Sequence, residues 1–335
     1  PLICIGGGVF AAHAENEIRE LADLMQIPVI TTMMGISVFP DDDQLFCGMI
    51  GTHGVKMANA AVNECDVLFL VGARVGDRAV KTPLALEKTT KIIHIDIDPA
   101  EIGKNIGADL PLVGDAKLVL QQMAELAKPM KHDEWIAHIK TLGGKREYVE
   151  PARGTVNPRV FIDRLAKKMP ANVTVVADVG QNQIWTCTEY KFQKEGRLLT
   201  SGGMGTMGYS VPAAIGAKMA DDSRATVAIC GDGAFQMSFM ELATAVQFGV
   251  DIKVVVMTNN RLGMVRELQT NGYHDRQTAV FLDGSPDFIK LAEAYGIPAM
   301  RVYDDDTMEK GIEMLAEHKG ICLVEVVVDK DMPTL

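Results

Sequence analysis

Ala225-Thr226-Val227-Ala228-Ile229-Cys230-Gly231-Asp232-Gly233 and Ile252-Lys253-Val254-Val255-Val256-Met257-Thr258-Asn259-Asn260 decide how this chain folds. Each is a short, largely β-branched run closed by polar residues, and the amphipathic segment from Phe235 to Gly249 lies between them. The stretch from Arg224 to Val265 therefore reads as a β-α-β unit. Asp232 stands just past the carboxyl end of the first strand, and Thr258, Asn259 and Asn260 past that of the second. That edge is where open parallel sheets bind ligands. A carboxylate, an amide oxygen and a loop carbonyl are hard oxygen ligands, the set Mg²⁺ takes when it also holds phosphates. Gly231 and Gly233 let the backbone come close to a diphosphate. A Gly-Asp-Gly alone is more often an ordinary turn.

The spacing and the neighbouring words narrow this. Gly231-Asp232-Gly233-Ala234-Phe235-Gln236-Met237, Glu241-Leu242-Ala243-Thr244, the Asn259-Asn260 pair and Leu262-Gly263-Met264-Val265 together resemble the thiamine diphosphate motif of acetohydroxyacid (acetolactate) synthase catalytic subunits. The resemblance implies metal ligation by Asp232, Asn259 and the backbone carbonyl of Arg261. Alignment on Leu262-Gly263-Met264-Val265 puts Asn259 at the family's second Asn, since 259 − 232 = 27. Thr258 then replaces the first Asn, and Asn260 is the alternative ligand if the loop is shifted by one. The resemblance also places Gly231, Gly233, Ala234, Leu262, Gly263 and Met264 around thiamine diphosphate.

Upstream, a helix over Pro158 to Lys168 and a strand over Val173 to Ala177 lead into Asp178-Val179-Gly180-Gln181-Asn182-Gln183, again a loop at a strand's carboxyl end. In the family this loop binds the cofactor diphosphate, which implies Val179, Gly180, Gln181 and Asn182. Asn182 replaces the common His as a donor. Ser201-Gly202-Gly203-Met204-Gly205-Thr206-Met207-Gly208 follows, glycine-rich enough for a strained loop or close ligand approach. By resemblance, Gly205 and Met207 face the cofactor. Met207 is the apolar wedge under its bent form, touching both rings and bringing the aminopyrimidine nitrogen near the thiazolium carbon. Met207 and Gln181 are the implied catalytic-centre residues. Leu268 stands where the anabolic synthases carry Trp, which leaves the acceptor preference open. Ser285 reads as a helix cap with Pro286 at the first position, followed by strands at Ala299 to Val302 and Cys322 to Val328.

The first half starts with a strand, Leu2 to Ile5, then Gly6-Gly7-Gly8-Val9-Phe10-Ala11 and a helix from about Ala12 to Met25. This fits the loose dinucleotide fingerprint, but the next strand, Ile27 to Ile30, ends in Thr31-Thr32-Met33-Met34 and not in an acid, which disfavours NAD. A helix near Val55 to Glu64 and strands Val67 to Val71 and Lys91 to Ile97 continue the α/β pattern. Helices follow at Asp115 to Ala127 and Asp133 to Val149, with Trp135 packing the second. From spacing alone, the glycines, Arg and Asp at these strand ends are turn formers and caps. Their resemblance to the family's central domain implies FAD contacts at Gly7 and Gly8, at Thr32, Met33 and Met34, and at His53. It also implies them at Gly72, Ala73 and Arg74, at Asp77 and Arg78, and at Asp96, Ile97 and Asp115. The glycine turn would face the FAD diphosphate, and Arg74 could neutralise it. His53 is assigned to flavin contact and not to proton transfer; Thr52 stands where the family usually has Met.

With 335 residues, 47% of them hydrophobic, the chain can bury two α/β cores. The expected architecture is two doubly wound parallel-sheet domains: a central Rossmann-like FAD-type domain over 1–150, a linker at 151–158 and a diphosphate-binding domain over 159–335. A net charge of -11 argues against nucleic acid or an anionic membrane as partner. A diphosphate can still bind if a divalent metal and backbone N–H groups supply the positive potential. The six cysteines form no C-x-x-C pair and read as buried free thiols; with no membrane-length apolar run, the expectation is cytoplasmic.

The resemblance covers the family's central and diphosphate-binding domains, so its N-terminal pyrimidine-binding domain, which carries the Glu facing the cofactor ring, is expected outside these residues. The chain is then expected to be a fragment, binding cofactors weakly and turning over little alone. The implied activity is thiamine diphosphate-dependent decarboxylation of pyruvate and condensation with a second 2-oxoacid, pyruvate or 2-oxobutanoate, with Mg²⁺ and a structural FAD. The implied assembly is a homodimer or tetramer with a possible small regulatory subunit. Two alternatives stand beside it: another thiamine diphosphate carboligase or decarboxylase, such as glyoxylate carboligase, and a non-catalytic cofactor-binding or regulatory module.

Overall fold

The computed structural model describes residues 1–80, 83–144 and 148–335. The chain divides into two compact units, Pro1–Arg146 and Glu147–Leu335.

The first unit holds a six-stranded sheet of β1 (Leu2–Ile5), β2 (Val29–Thr31), β3 (Phe46–Met49), β4 (Val67–Val71), β5 (Lys91–Asp96) and β6 (Leu110–Val113). All neighbours are parallel, in the order β3-β2-β1-β4-β5-β6. Helices α1 (Gly8–Ala11), α2 (Glu15–Met25), α3 (Lys56–Glu64), α4 (Pro83–Leu86), α5 (Ala116–Leu126) and α6 (Asp133–Thr141) connect and flank the strands. Side chains alternate across β1, Leu2 and Cys4 joining one apolar cluster and Ile3 and Ile5 the other. A sheet buried on both faces explains why these strands read as unbroken apolar runs. β6 lies at the edge, where Pro111 costs no ladder bond that a central strand would need.

Two expected helices are shorter than their patterns. The segment from Ala12 to Met25 is interrupted because His13 takes a left-handed conformation (φ 51°), so α2 starts at Glu15. The helix expected to reach Val149 ends at Thr141, ahead of Gly143 and a left-handed Gly144 (φ 68°); residues 145–147 of that expectation lie outside the described residues. Trp135 packs against the first unit's core, and its indole N–H donates to the Pro1 carbonyl (2.8 Å).

His94, in the middle of β5, is 1% exposed, and neither ring nitrogen meets a partner at hydrogen-bond geometry among the described residues. Burial lowers its pKa, and the Asp96 and Glu101 carboxylates and the Ala73 carbonyl oppose this without outweighing it. A histidine held neutral when folded takes up protons more readily unfolded. Stability is therefore full above the unfolded value, near 6.5, and falls as pH drops through it. Urea titrations of wild type and His94→Leu between pH 7.5 and about 5 are expected to show a larger loss in the wild type than in the variant, which keeps only the part due to the likewise depressed His132. Parallel pH profiles would contradict the assignment.

The second unit contains β7 (Thr174–Ala177), β8 (Arg197–Thr200), β9 (Thr226–Gly231), β10 (Lys253–Thr258), β11 (Ala299–Val302) and β12 (Cys322–Val327). They form a parallel sheet in the order β11-β12-β10-β9-β7-β8. Its helices are α7 (Pro158–Lys168), α8 (Gln181–Glu189), α9 (Ser210–Ala220), α10 (Asp232–Phe235), α11 (Leu242–Gln247), α12 (Gly263–Gly272), α13 (Phe288–Ala294) and α14 (Asp305–Glu317). Asn157 caps α7 through Arg159 N–H (2.9 Å), with Pro158 in its first turn.

Two details differ from expectation. The amphipathic segment from Phe235 to Gly249 is not one helix: α10 already begins at Asp232, the backbone leaves helical geometry at Ser238 (φ −144°), and a 3₁₀ turn at Phe239–Glu241 leads into α11. The cap of α13 is Asp287, not Ser285; its carboxylate accepts from Ile289 and Lys290 N–H, whereas the Ser285 hydroxyl donates to the Leu282 carbonyl.

All six cysteines are buried and unpaired, and burial raises the Cys4 thiol to about 12. Among the described residues no helix is long and apolar enough to cross a membrane.

Candidate functional site

In the second sheet the chain leaves β7 toward β8 on one side and leaves β9 toward β10 on the other. The order of winding reverses between β7 and β9, and such a point opens a crevice at the strands' carboxyl ends. A cleft of about 110 Å³ lies there. It is lined by the loop after β7 (Val179, Gly180, Gln181 and Asn182), the turn after β9 (Gly231 to Ala234) and the loop after β10 (Asn259 and Arg261 to Val265). Met207 and Trp185 also line it. Of the expected thiamine diphosphate and metal positions, Gly205 and the alternative ligand Asn260 are not in the lining. Gly205 is exposed in a left-handed turn (φ 67°), and Asn260 is exposed.

Asp232 is 1% exposed. One carboxylate oxygen accepts from Gly233 N–H (2.8 Å), the other from Asn260 N–H (2.7 Å) and Asn259 N–H (3.2 Å). Desolvation raises its pKa to about 6, and the three backbone N–H groups pull the other way without restoring the ordinary value. Among the described residues no Lys or Arg pairs with it, so the carboxylate among the residues lining the cleft stands there without a paired cation.

The two asparagines are arranged differently. The Asn259 amide nitrogen donates to Gln181 Oε1 (3.2 Å), while its Oδ1 accepts from Arg261 N–H (3.1 Å) and keeps a second lone pair. Asn260 adopts φ 53°, and its carbonyl accepts from Leu282 N–H and the Arg261 guanidinium. Arg261 also lines the cleft, and its guanidinium pairs with Asp283 (2.8 Å) and stacks over the Phe281 ring (4.6 Å).

Gln181 crosses the cleft. Its Nε2 donates to the Met332 carbonyl (2.9 Å) and Thr334 Oγ1 (3.2 Å), so this side chain, expected in the catalytic centre, ties three segments of the unit together. Gly263 permits the crossing, because a Cβ there would lie 1.9 Å from Gln181 Oε1. Asn182 departs from its expected part as donor to a ligand. Both of its amide protons are spent, on the Asp178 carbonyl (2.8 Å) and the Ile229 carbonyl (3.2 Å), where it bridges the ends of β7 and β9. Its Oδ1 points at Gly180 and Gly231, 2.8 and 3.3 Å from where their Cβ atoms would be.

Met207 lies over Gly233, 3.4 Å from its missing Cβ, and packs on the apolar core beneath. Leu268, in the family's Trp position, is 61% exposed on α12. Reasoning from sequence assigned no part to Asp178 or Trp185. A carboxylate directly after a strand was the available signal for Asp178; for Trp185, a large indole one turn into the helix that follows the loop was the signal.

In the first unit the residues expected to touch FAD lie at the carboxyl edge of the sheet: Gly7 and Gly8 after β1, Thr32 to Met34 after β2, His53 beyond β3, Gly72 to Asp77 and Arg78 after β4, Asp96 and Ile97 at the end of β5, and Asp115 after β6. Several have local tasks. Gly8 N–H donates to the Gly72 carbonyl (3.0 Å), and the Asp115 carboxylate caps α5 through Leu118 N–H (3.2 Å). A Cβ on Gly6 would lie 2.1 Å from the Gly72 carbonyl oxygen, and one on Gly8 2.7 Å from Gly72 Cα. The approach of two backbone turns accounts for Gly6 and Gly8 without a ligand. Arg74 and Ile97 are exposed at this edge.

Residues 1–123 match the family model of the thiamine pyrophosphate enzyme central domain, and residues 178–326 that of the thiamine pyrophosphate enzyme C-terminal TPP binding domain. The chain belongs to the thiamine pyrophosphate enzymes. Within them it is homologous to acetolactate synthase large subunits. It is 40% identical over 340 residues to a "Probable acetolactate synthase large subunit" of Methanocaldococcus jannaschii, covering 98% of this chain and 57% of that protein. It is 39% identical over 343 residues to the acetolactate synthase large subunit of Corynebacterium glutamicum (99% and 55%), and 36% identical over 332 residues to that of Lactococcus lactis (98% and 58%). The chain spans little more than half the length of these relatives.

Proposed function

We propose that this chain is the central and cofactor-binding part of an acetolactate synthase catalytic subunit, using thiamine diphosphate and Mg²⁺ to decarboxylate pyruvate and join it to a second 2-oxoacid. The observation that carries the reading is the buried Asp232 carboxylate, without a counter-charge, in a cleft at the reversal point of a sheet matched to a TPP-binding domain.

The residues fit the cofactor. Asp232, Asn259 Oδ1 and the Arg261 carbonyl are oxygen donors suited to Mg²⁺, and a divalent cation supplies the charge that Asp232 lacks. α8 and α12 both begin in the cleft wall, at Gln181 and Gly263, so their N-terminal N–H groups can face a diphosphate in a chain of net charge -11. Met207, Leu262 and Ala234 present apolar surface that would exclude water from the reacting end. When bound, thiamine diphosphate supplies a carbon nucleophile and an electron sink for cleaving a 2-oxoacid.

The same reading includes FAD at the carboxyl edge of the first sheet, with Arg74 as an exposed cation available to its diphosphate. It also includes a homodimer or tetramer, a small regulatory partner, as the relatives' "large subunit" names suggest, and a cytoplasmic location.

Calorimetry of the protein with thiamine diphosphate, with and without Mg²⁺, tests the core of it. Binding that requires Mg²⁺ and quenches Trp185 fluorescence is expected; Mg²⁺-independent binding, or none, would sink the reading. The metal loop has its own test. Asn259→Ala is expected to weaken the Mg²⁺-dependent affinity about tenfold. Asn260→Gly, which keeps the left-handed backbone, is expected to leave it unchanged. The reverse result would move the ligand to Asn260.

A further inference from the structure

Asp178 is 0% exposed at the end of β7 and takes no part in the chemistry outlined above. Its own N–H donates to the Ile229 carbonyl (2.8 Å), which fixes it to the sheet. Its carboxylate reaches forward in the chain: Oδ1 accepts from Val179 N–H (2.9 Å) and Gly208 N–H (3.0 Å), and Oδ2 from Ser210 N–H (2.8 Å). Gly208 follows Met207 directly and is left-handed (φ 83°), while Ser210 opens α9. The segment before Met207 is exposed from Gly202 to Thr206 and is held only locally, Gly205 N–H donating to the Ser201 carbonyl (2.8 Å) and Thr206 N–H to Ser201 Oγ (3.1 Å).

We propose that Asp178 is a positioning residue for Met207, its carboxylate joining the diphosphate-side loop to Gly208 and Ser210 and so fixing where the Met207 thioether stands in the cleft. This rests on the reading of the cleft as a thiamine diphosphate site. The physical case is one of rigidity. A glycine-rich loop has many accessible conformations, and an apolar wedge carried on it contributes to binding only if its position is set beforehand. Hydrogen bonds from backbone N–H to a buried carboxylate are among the stronger ones available. Three of them converge on one side chain anchored in a central strand. They also tie two loops that must act on one ligand, the first on its diphosphate and the second on its rings.

The test uses Asp178→Asn, which keeps the shape but turns one acceptor into a donor, so that Gly208 and Ser210 cannot both be held. Titrations with thiamine diphosphate and with inorganic pyrophosphate, each with Mg²⁺, separate the two loops. The expected result is about a tenfold loss for thiamine diphosphate with pyrophosphate affinity little changed. In a Met207→Ala background, the Asp178→Asn change is expected to add no further loss, as two residues acting through one contact are non-additive. Equal losses for both ligands, an undiminished loss in the Met207→Ala background, or a wild type that binds both ligands equally overturns the inference. A wild type that binds neither overturns the reading of the cleft, and the inference with it. If Asp178→Asn does not fold, hydrogen exchange of the wild type decides. The Gly208 and Ser210 amides are expected to be protected like those of β7, and exchange as fast as Gly202 and Gly203 overturns the inference.

Discussion

Asp232→Ala is expected to abolish Mg²⁺-dependent thiamine diphosphate binding, weakening it by about a hundredfold or more, which corresponds to about 3 kcal/mol. Among the described residues lining the cleft the carboxylate is the one anionic donor, and its position is fixed by N–H bonds from Gly233, Asn259 and Asn260. Loss of the side chain would remove the charged ligand proposed for the metal and would also free the loop that carries Asn259. The more informative variant is Asp232→Asn, because it preserves volume. The amide relieves the desolvation that raises the carboxyl pKa to about 6, but it turns one acceptor into a donor facing the Gly233 N–H or the Asn259 and Asn260 N–H groups, so the ligand-free melting temperature is expected to fall modestly while the protein stays folded. The rise in melting temperature that Mg²⁺ and thiamine diphosphate give the wild type is expected to vanish. A ligand-induced rise that survives in Asp232→Asn would remove Asp232 from the metal site.

Gly6→Ala is expected to destabilise the first unit by about 3 kcal/mol, lowering its unfolding temperature by about 10 °C. The added Cβ would stand 2.1 Å from the Gly72 carbonyl oxygen and 2.5 Å from Ala73 Cα. Both are backbone atoms at the end of β4, and Gly72 N–H is bonded to the Ile95 carbonyl, so neither can move without opening the sheet. Gly76→Ala, where an added Cβ meets nothing within 4 Å, is the control. Thermal unfolding followed by near-ultraviolet circular dichroism reads the difference through Trp135, which packs in this unit. A Gly6→Ala protein as stable as the control would mean that the two turns are not in contact.

The doubly wound α/β architecture was legible because its central strands are buried on both faces. β4, at Val67–Val71, and β10, at Lys253–Thr258, are nearly pure apolar runs, and polar residues mark where each one ends. β3, β6 and β8 were not legible. Phe46-Cys47-Gly48-Met49 contains a left-handed glycine, Leu110-Pro111-Leu112-Val113 a proline, and Arg197-Leu198-Leu199-Thr200 is short and half exposed. Each is an edge strand that packs little surface, though β11, the fourth edge strand, was legible at Ala299–Val302. The candidate site divides similarly. Asp232 and the Asn259 loop announce themselves through local words, and all but two of the residues expected around the diphosphate and metal meet in one cleft. What spacing could not reveal is the partnering of side chains with distant backbone. Asp178 acts on amides 30 and 32 residues away. The amide of Asn182 looks like a donor in the sequence, yet it is consumed by carbonyls at two strand ends.

The crossing of Gln181 over Gly263 also bears on how such a cleft can change over generations. The side chain of one residue occupies the place where the other would carry a Cβ, so position 263 cannot gain a side chain while Gln181 stays. A larger residue at 263 is admissible only in a lineage that has first shortened 181, and shortening 181 releases the amide of Asn259 in the loop after β10. The two glycine-and-glutamine sites therefore behave as one inherited unit. The route to a different pocket at this corner passes through an intermediate in which the loop after β10 has lost a support.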